Sequence, residues 1–224
     1  MIRVSGVSHR FGEREVLKPF SLELVERRIA VIGANGSGKS TFVRLINGLL
    51  VPTTGSVLVD GLDTKRDGKE VRGKVGFVFQ NPDNQIVYPV VEEDLAFGLK
   101  NRKLPKDEIA RRVEAGLARF GLSHLAKEQT HRLSGGEKQM VAIAGVTILE
   151  PQIIIFDEPT TLLDLRNKRR VARTISELDE MAIVVTHDLD LVADFDRALV
   201  FDEGGLVFDG NPFDAIRHYE GLMG

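Results

Sequence analysis

The sequence predicts an α/β fold built on a largely parallel sheet. Strand-like and helix-like segments alternate along the chain, and no linker, repeat or low-complexity stretch divides it. Several of the strand-like segments are continuous apolar runs, which is typical of strands covered by helices on both faces. We therefore expect residues 1–224 to form a single unit around one parallel core.

The predicted strands are short apolar runs. Residues 28–32 predict a buried strand that ends at Gly33, and residues 39–50 predict a helix because their apolar members recur at helical spacing. Further apolar runs predict strands at residues 75–79, 153–156, 182–185 and 198–201. A strand that leads through a tight loop into a helix is the basic unit of a parallel sheet.

The segment 91–135 differs in character and predicts a helical lobe inserted into the α/β core. Within it, residues 106–120 predict an amphipathic helix, which Gly121 ends. The lobe also carries a cluster of basic residues, namely Lys100, Arg102, Lys103, Lys106, Arg111 and Arg112. Acidic residues interleave with this cluster, which indicates a solvated helix face rather than a binding patch.

Composition excludes several classes of protein. Lys and Arg total 30 against 33 Asp and Glu, so the net charge of −3 argues against a strongly basic nucleic-acid surface, and we expect no nucleic-acid partner. The absence of cysteine excludes a disulfide scaffold, a thiolate metal site and a cysteine nucleophile. The longest apolar run, residues 141–149, is about half a membrane span, and the amino terminus does not resemble a signal peptide. We expect a cytosolic protein that reaches a membrane only through partners.

A phosphate-binding motif follows the first predicted core strand. Its pattern, G-x-x-x-x-G-K-[ST], is met by Gly33, Ala34, Asn35, Gly36, Ser37, Gly38, Lys39 and Ser40, with Thr41 next in the helix. The glycines let successive backbone N–H groups point at phosphate oxygens, and the helix amino terminus favours an anion. Lys39 would reach the β and γ phosphates, and the Ser40 hydroxyl would ligate Mg²⁺. The alternative is a plain glycine-rich turn, but the strand–loop–helix context predicts a nucleoside triphosphate site.

Two acids follow a second buried strand. The run Ile-Ile-Ile-Phe at residues 153–156 leads directly into Asp157 and Glu158. A strand of this kind would place Asp157 near Mg²⁺, directly or through water, and Glu158 nearer the γ-phosphate, where it can polarise an attacking water. Alone, ordinary surface acids would be the better interpretation. The phosphate-binding motif makes the functional interpretation the favoured one.

The residues around Ser134 indicate which kind of phosphate-loop protein this chain is. Ser134 and Glu137 have the spacing of a capping box at a helix start, and the glycines between them leave backbone N–H groups open to an anion. A capped helix without further function is the alternative. However, residues 133–136, Leu-Ser-Gly-Gly, resemble the signature sequence of ATP-binding cassette (ABC) proteins.

This resemblance implies a fold and an activity. The fold is the ABC nucleotide-binding domain of phosphate-loop NTPases, with a largely parallel core sheet, an antiparallel β subdomain and an inserted helical lobe. The activity is ATP hydrolysis with Mg²⁺. Residues 1–224 would form a single cassette, in which Ser134, Gly135 and Gly136 of one subunit close over nucleotide bound to another.

Further motifs of the family occur in the expected order. Phe11 resembles the aromatic residue that stacks on adenine, although a core position is the alternative. Gln80 resembles the glutamine that senses and contacts Mg²⁺, and His187 resembles the histidine that contacts the γ-phosphate. Asp164 resembles the aspartate of a loop that crosses the dimer interface. The other histidines, at 9, 124, 131 and 218, lack such context and are expected at the surface.

The chain departs from the family pattern in two places. Glu137 stands where glutamine is usual, and because either residue serves a capping box, we expect the helix to persist. Leu162 stands where a small residue is more common, and Leu165 where proline is. A bulkier residue at 162 could alter how tightly two sites couple.

Residues 80–85 and 91–98 look like ATPases of energy-coupling factor (ECF) transporters, which import vitamins and transition-metal ions. In that family the segment shapes a groove for coupling helices, and here Val91, Leu95 and Phe97 would also serve as lobe core. The resemblance implies a dimer of identical or paralogous ATPases at the cytoplasmic face of the membrane, bound to a transmembrane coupling component and a substrate-binding membrane protein.

The short end of the chain and residues 133–145 look most like the ATPase subunit of biotin transporters, with cobalt or nickel importers as the alternative. A soluble ABC protein of translation or chromosome maintenance would need a long coiled coil or two cassettes, which this chain lacks. An unrelated phosphate-loop kinase or GTPase would not explain the signature or His187.

Overall fold

The computed structural model describes all residues 1–224 and contains two sheets. The first sheet is antiparallel, in the order β2-β1-β4-β5. Its strands are β1 (Ile2–Phe11), β2 (Arg14–Leu24), β4 (Thr54–Val59) and β5 (Leu62–Asp63). It buries one face, so apolar and exposed residues alternate at the start of β1, where Ile2 and Val4 are buried.

The second sheet lies at the centre of the molecule, in the order β10-β9-β3-β8-β7-β6. Its strands are β3 (Arg28–Gly33), β6 (Val75–Val78), β7 (Ile153–Asp157), β8 (Met181–Val185), β9 (Arg197–Asp202) and β10 (Gly205–Gly210). All pairs are parallel except β9 with β10. The prediction of an α/β fold with a largely parallel core is confirmed, and each predicted core strand agrees with its observed bounds to within one residue at either end.

The helices connect the strands of the two sheets. They are α1 (Lys39–Ile46), α2 (Gly68–Lys74), α3 (Val91–Asn101), α4 (Lys106–Arg119), α5 (Gly135–Thr147), α6 (Leu165–Glu177) and α7 (Pro212–Met223). The helix predicted over 39–50 is wrong at its end, because Gly48 adopts φ +71° and the chain turns there. The helix predicted over 106–120 is observed one residue shorter, with Gly121 at φ +66°.

The apolar core forms two large clusters, one on each side of the central sheet. One cluster joins Phe42 and the antiparallel sheet to the face of β3 and β8, and the other joins Phe156 to helices α3, α4 and α5. Val91 and Leu95 belong to this second core, as expected, whereas Phe97 is 37% exposed and the expectation of a core position is wrong for it. Phe97 packs instead against Tyr88.

One surface prediction is also wrong. His9 is only 7% exposed, because it lies in β1 beneath the loop that leads into β4. His124 and His131 are exposed, as expected, and His218 is half-buried against Phe208.

Candidate functional site

The phosphate-binding motif lies between the end of β3 and the start of α1. Gly33 has φ +147°, and a Cβ there would lie 2.1 Å from the Phe201 carbonyl oxygen, so only glycine allows this close approach. Gly38 precedes α1 with φ +103°, and a Cβ on it would lie 2.6 Å from a side-chain carbon of Leu17. The two glycines therefore allow the loop to curl against β9 and β2 and present its backbone to the cleft.

Lys39 is the buried cation of this loop. It is 6% exposed, and its Nζ donates to the carbonyl oxygens of Gly33 at 2.8 Å and Ala34 at 2.9 Å. Burial lowers the pKa of the Lys39 ammonium, against the opposing effect of the Glu158 and Asp157 carboxylates. The Ser37 hydroxyl is buried without a hydrogen-bond partner in the chain. A buried cation and an unsatisfied donor in one glycine-rich loop fit a polyphosphate.

Ser40 and Asp157 meet across the first turn of α1. The Ser40 hydroxyl donates to Asp157 Oδ1 at 2.7 Å, and the side chain of Asp157 is only 4% exposed. Hydroxyl and carboxylate oxygens are the hard donors that Mg²⁺ prefers, so this pair fits the ion that the sequence implied. No cluster of three or more His, Cys, Asp or Glu residues in the chain could hold a metal by itself. The two protein ligands Ser40 and Asp157 therefore suit an ion that takes its remaining ligands from phosphate and water.

Arg44 is a residue of this site that sequence reasoning missed. Its guanidinium donates to Asp157 Oδ2 at 3.2 Å and thereby holds the second carboxylate oxygen. Arg44 lies four residues after Ser40 in α1, so both side chains share one helix face. That spacing is the signal that could have identified it.

Glu158 and His187 form the other contact of the site. Their atoms Oε2 and Nδ1 lie 2.7 Å apart, and the Thr161 hydroxyl donates to the same carboxylate oxygen at 3.3 Å. Since a carboxylate oxygen only accepts, His187 Nδ1 carries the shared proton. Glu158 has φ +55°, a left-handed conformation that is uncommon for a residue other than glycine and that often accompanies function.

The order of the core strands explains why these groups meet. Gln80 follows β6, Asp157 ends β7 with Glu158 directly after it, and His187 follows β8. These three strands are neighbours in the sheet. Parallel neighbours deliver their carboxyl ends to one edge of the sheet, where ligands of open α/β sheets bind.

A cleft of about 490 Å³ opens at this edge. It is lined by Phe11, Arg14, Val16, Asn35, Gly36, Gly38, Lys39, Ser40, Thr41, Gln80, Glu158, Thr161 and His187. Phe11 stands at the rim with 52% of its surface exposed, so the alternative of a core position is wrong. Arg14 and Val16 were not singled out from the sequence and carried no motif that could have marked them. Thr161 precedes Leu162 in the loop that resembles the family's dimer-interface loop, but no role at the cleft followed from its position in the sequence.

The signature residues lie elsewhere. Ser134 caps α5 in the predicted capping box: its N–H donates to Glu137 Oε2 at 2.8 Å, and the Glu137 N–H donates to Ser134 Oγ at 3.4 Å. The bonds from Ser134 lower the pKa of the Glu137 carboxyl. The capping function of Glu137 is confirmed, but Ser134, Gly135 and Gly136 do not line the cleft. The structure does not bring them to Lys39 within one chain.

Asp164 has a local role at the start of α6. Its carboxylate accepts from the Asn167 N–H at 2.8 Å and so caps the helix. The preceding Leu162 is 99% exposed and has φ +65°.

A larger groove of about 980 Å³ runs between α3 and α4. Apolar residues such as Ala96, Ile109 and Val113 line it. Charged residues of both signs line it too, namely Glu92, Glu93, Glu114, Lys100, Lys106 and Lys127. Residues 92, 93 and 96 belong to the segment 91–98 that the sequence singled out. No helix of the chain is long and apolar enough to cross a membrane.

Comparison with known proteins supplies relatives along the whole chain. The family model described as "ABC transporter" matches residues 17–161. A putative ABC transporter ATP-binding protein of Deinococcus radiodurans is 60% identical, covering 100% of this chain and 99% of the relative. A biotin transport ATP-binding protein of Rhizobium etli is 54% identical over 96% and 95% of the two chains. An energy-coupling factor transporter ATP-binding protein of Caldanaerobacter subterraneus is 43% identical over 99% and 84%.

Solved structures show the same fold. The structure of cbiO1 from Clostridium perfringens, part of the ABC transporter complex cbiONQ, matches with a TM-score of 0.87 and 37% identity, over 99% of this chain and 92% of that one. A dimeric ATP-binding cassette bound to ADP and Pi matches with a TM-score of 0.83 and 29% identity, over 95% and 99%.

Proposed function

Because this chain belongs to the ABC transporter family and is an ATP-binding ATPase, we propose that it powers an ECF-type importer whose cargo is biotin. The observation that carries the ATPase chemistry is the arrangement at one sheet edge of a buried lysine, a Ser40–Asp157 pair and a Glu158–His187 pair. The relative named for biotin transport, at 54% identity over nearly the full length, favours this cargo.

The first part of the mechanism is binding. Residues 33–41 receive the phosphates of ATP. The Lys39 ammonium can exchange its hydrogen bonds to two carbonyl oxygens for bonds to phosphate oxygens with only a small movement of the side chain. Ser40, Asp157 and Gln80 would hold Mg²⁺, which supplies neutralisation of phosphate charge when bound. Phe11 offers its exposed ring to the adenine base at the rim of the cleft.

The second part is proton transfer. The His187 Nδ1–H orients the Glu158 carboxylate, whose oxygen accepts a proton from the attacking water. As the water oxygen bonds to the γ-phosphorus, the bond from that phosphorus to the β–γ bridging oxygen breaks, and ADP and inorganic phosphate result. Most of the acceleration comes from positioning and from charge stabilisation.

Two copies of the chain complete each site. Ser134, Gly135 and Gly136 lie outside the cleft of their own chain, with Ser134 and Gly135 exposed, so they are free to contact nucleotide held by another copy. Open N–H groups at the start of α5 suit the phosphates of that nucleotide. The dimer with ADP and Pi among related structures supports this assembly.

The groove between α3 and α4 supports a membrane partner. Within the single cassette of residues 1–224, the lobe of residues 91–135 would seat coupling helices of a transmembrane scaffold, which works with a substrate-binding membrane protein. Its apolar lining, bordered by charged side chains of both signs, suits the apolar face of an amphipathic helix. The chain would therefore lie at the cytoplasmic face of the membrane.

The test is an affinity purification of the tagged chain from detergent-solubilised membranes of its own source. We expect a scaffold protein and a small multi-span protein to co-purify, and the small protein to bind radiolabelled biotin. If the small protein binds cobalt or nickel instead, the cargo assignment is wrong but the assignment as an importer ATPase stands. Recovery of ribosomal or chromosomal proteins without any membrane protein would contradict the transport function.

A further inference from the structure

His9 is a buried polar residue that no part of the mechanism above uses. It lies in β1 and is 7% exposed. Its Nδ1 lies 3.0 Å from the carbonyl oxygen of Val51, and since a carbonyl only accepts, Nδ1 carries the proton. Its Nε2 is buried with no partner in the chain. Burying a polar atom unpaired is costly, so this ring occupies its place for a reason other than its own hydrogen bonding.

The partner that explains the ring is Phe11. The centroids of the two rings are 4.6 Å apart and their planes meet at 82°, the edge-to-face geometry that aromatic rings prefer. Phe11 keeps 52% of its surface exposed and lines the nucleotide cleft. His9 is thus buried and hydrogen-bonded to the backbone, and the exposed Phe11 ring packs against it.

Hydrogen bonds to Thr53 also hold the backbone on either side of His9. The Arg10 N–H donates to the Thr53 hydroxyl at 3.0 Å, and the Thr53 N–H donates to the Ser8 carbonyl. The register between β1 and β2 shifts on both sides of His9, as in a bulge that redirects side chains. The loop of residues 51–54 therefore fixes the strand end from which the Phe11 ring extends.

We propose that His9 is a positioning residue for nucleobase binding, which braces the Phe11 ring in the orientation that stacks on the base. The inference rests on the proposed function, in which Phe11 contacts adenine. An exposed ring that is free to rotate would lose freedom when a base stacks on it, whereas a ring already held at a right angle by a buried neighbour would not. His9 therefore contributes to affinity for the base and not to affinity for the phosphates.

The experiment compares two ligands by isothermal titration calorimetry with Mg²⁺ present: ATP, and inorganic tripolyphosphate, which lacks the base. The variant His9→Leu keeps a side chain in this buried position but removes the ring. We expect it to bind ATP roughly two- to tenfold more weakly, the range typical of one aromatic pair, with tripolyphosphate affinity unchanged. An equal loss for both ligands, or no loss for either, would overturn the proposal.

A second variant separates the ring from its anchor. His9→Phe keeps an aromatic edge against Phe11 and loses the bond to Val51, and we expect ATP affinity close to that of the wild type. Affinity as low as that of His9→Leu would contradict bracing by the ring. Since phenylalanine also keeps a planar ring in the buried position of His9, this variant should fold even where the leucine variant does not.

The matched control is His218→Leu. His218 also contacts a phenylalanine, Phe208, with ring centroids 5.3 Å apart, but neither residue lines the cleft. We expect no change in the affinity of either ligand. A further variant, Phe11→Ala, tests separately whether Phe11 binds the base. Unchanged ATP affinity in Phe11→Ala would contradict base binding by Phe11. A loss of affinity with Phe11→Ala but none with His9→Leu would refute only the role of His9.

Discussion

Leu162 allows a test of backbone strain without loss of packing. Its side chain is 99% exposed, and its φ of +65° lies in the left-handed region that is costly for a branched residue. Relief of this conformation by glycine is worth about 1–2 kcal/mol. The greater freedom of glycine in the unfolded chain costs about 0.5–1 kcal/mol in return. Leu162→Gly should therefore raise the free energy of unfolding by up to about 1.5 kcal/mol.

The control is the same substitution three residues later. Leu165 is also exposed, at 63%, but it begins α6 with helical backbone angles. Leu165→Gly brings the entropic cost of glycine without relief of strain and should lower the free energy of unfolding by about 0.5–1 kcal/mol. The two leucine-to-glycine variants should therefore shift stability in opposite directions.

The assay is urea unfolding followed by far-ultraviolet circular dichroism, because the chain contains no tryptophan for fluorescence. It is run without nucleotide, so that self-association does not contribute. Thermal midpoints should differ by about 1–10 °C between the two variants, at about 2–4 °C for each kcal/mol in a domain of this size. If Leu162→Gly loses as much stability as Leu165→Gly, residue 162 is not strained and the reasoning is refuted.

Three further predictions concern the nucleotide site. Lys39→Ala should reduce steady-state ATPase activity roughly a hundredfold or more, since it removes the buried cation; unchanged turnover would contradict the phosphate assignment. Glu158→Gln should slow hydrolysis roughly a hundred- to ten-thousandfold, yet still dimerise in ATP on size-exclusion chromatography. A monomer where wild type dimerises would count against a role of Glu158 at the chemical step. Ser40→Ala leaves Asp157 in place, so the Mg²⁺ concentration for half-maximal activity should rise roughly tenfold, and an unchanged Mg²⁺ titration would remove Ser40 from the metal site.

Much of the fold could be predicted because its signals are local. The apolar runs of the core strands, the glycine that ends α4 and the capping box at Ser134 each depend on a few adjacent residues. Helix α1 was predicted too long because residues 47–50 continue its apolar pattern, although the backbone turns at Gly48. The strands of the antiparallel sheet were not located individually, since exposed edge strands carry weak alternation.

The sequence by itself determined the chemistry of this protein: a phosphate loop after a buried strand, an acid pair after another, and a glycine-rich helix start. Which of these meet was decided by the tertiary structure. Asp157 lies 117 residues from Ser40, and their contact exists because β3 and β7 both flank β8. The same strand order brings His187 to Glu158 and leaves Ser134 outside the cleft. Periodicity reports only the few residues nearest in the chain, whereas these contacts depend on the order of strands across the sheet.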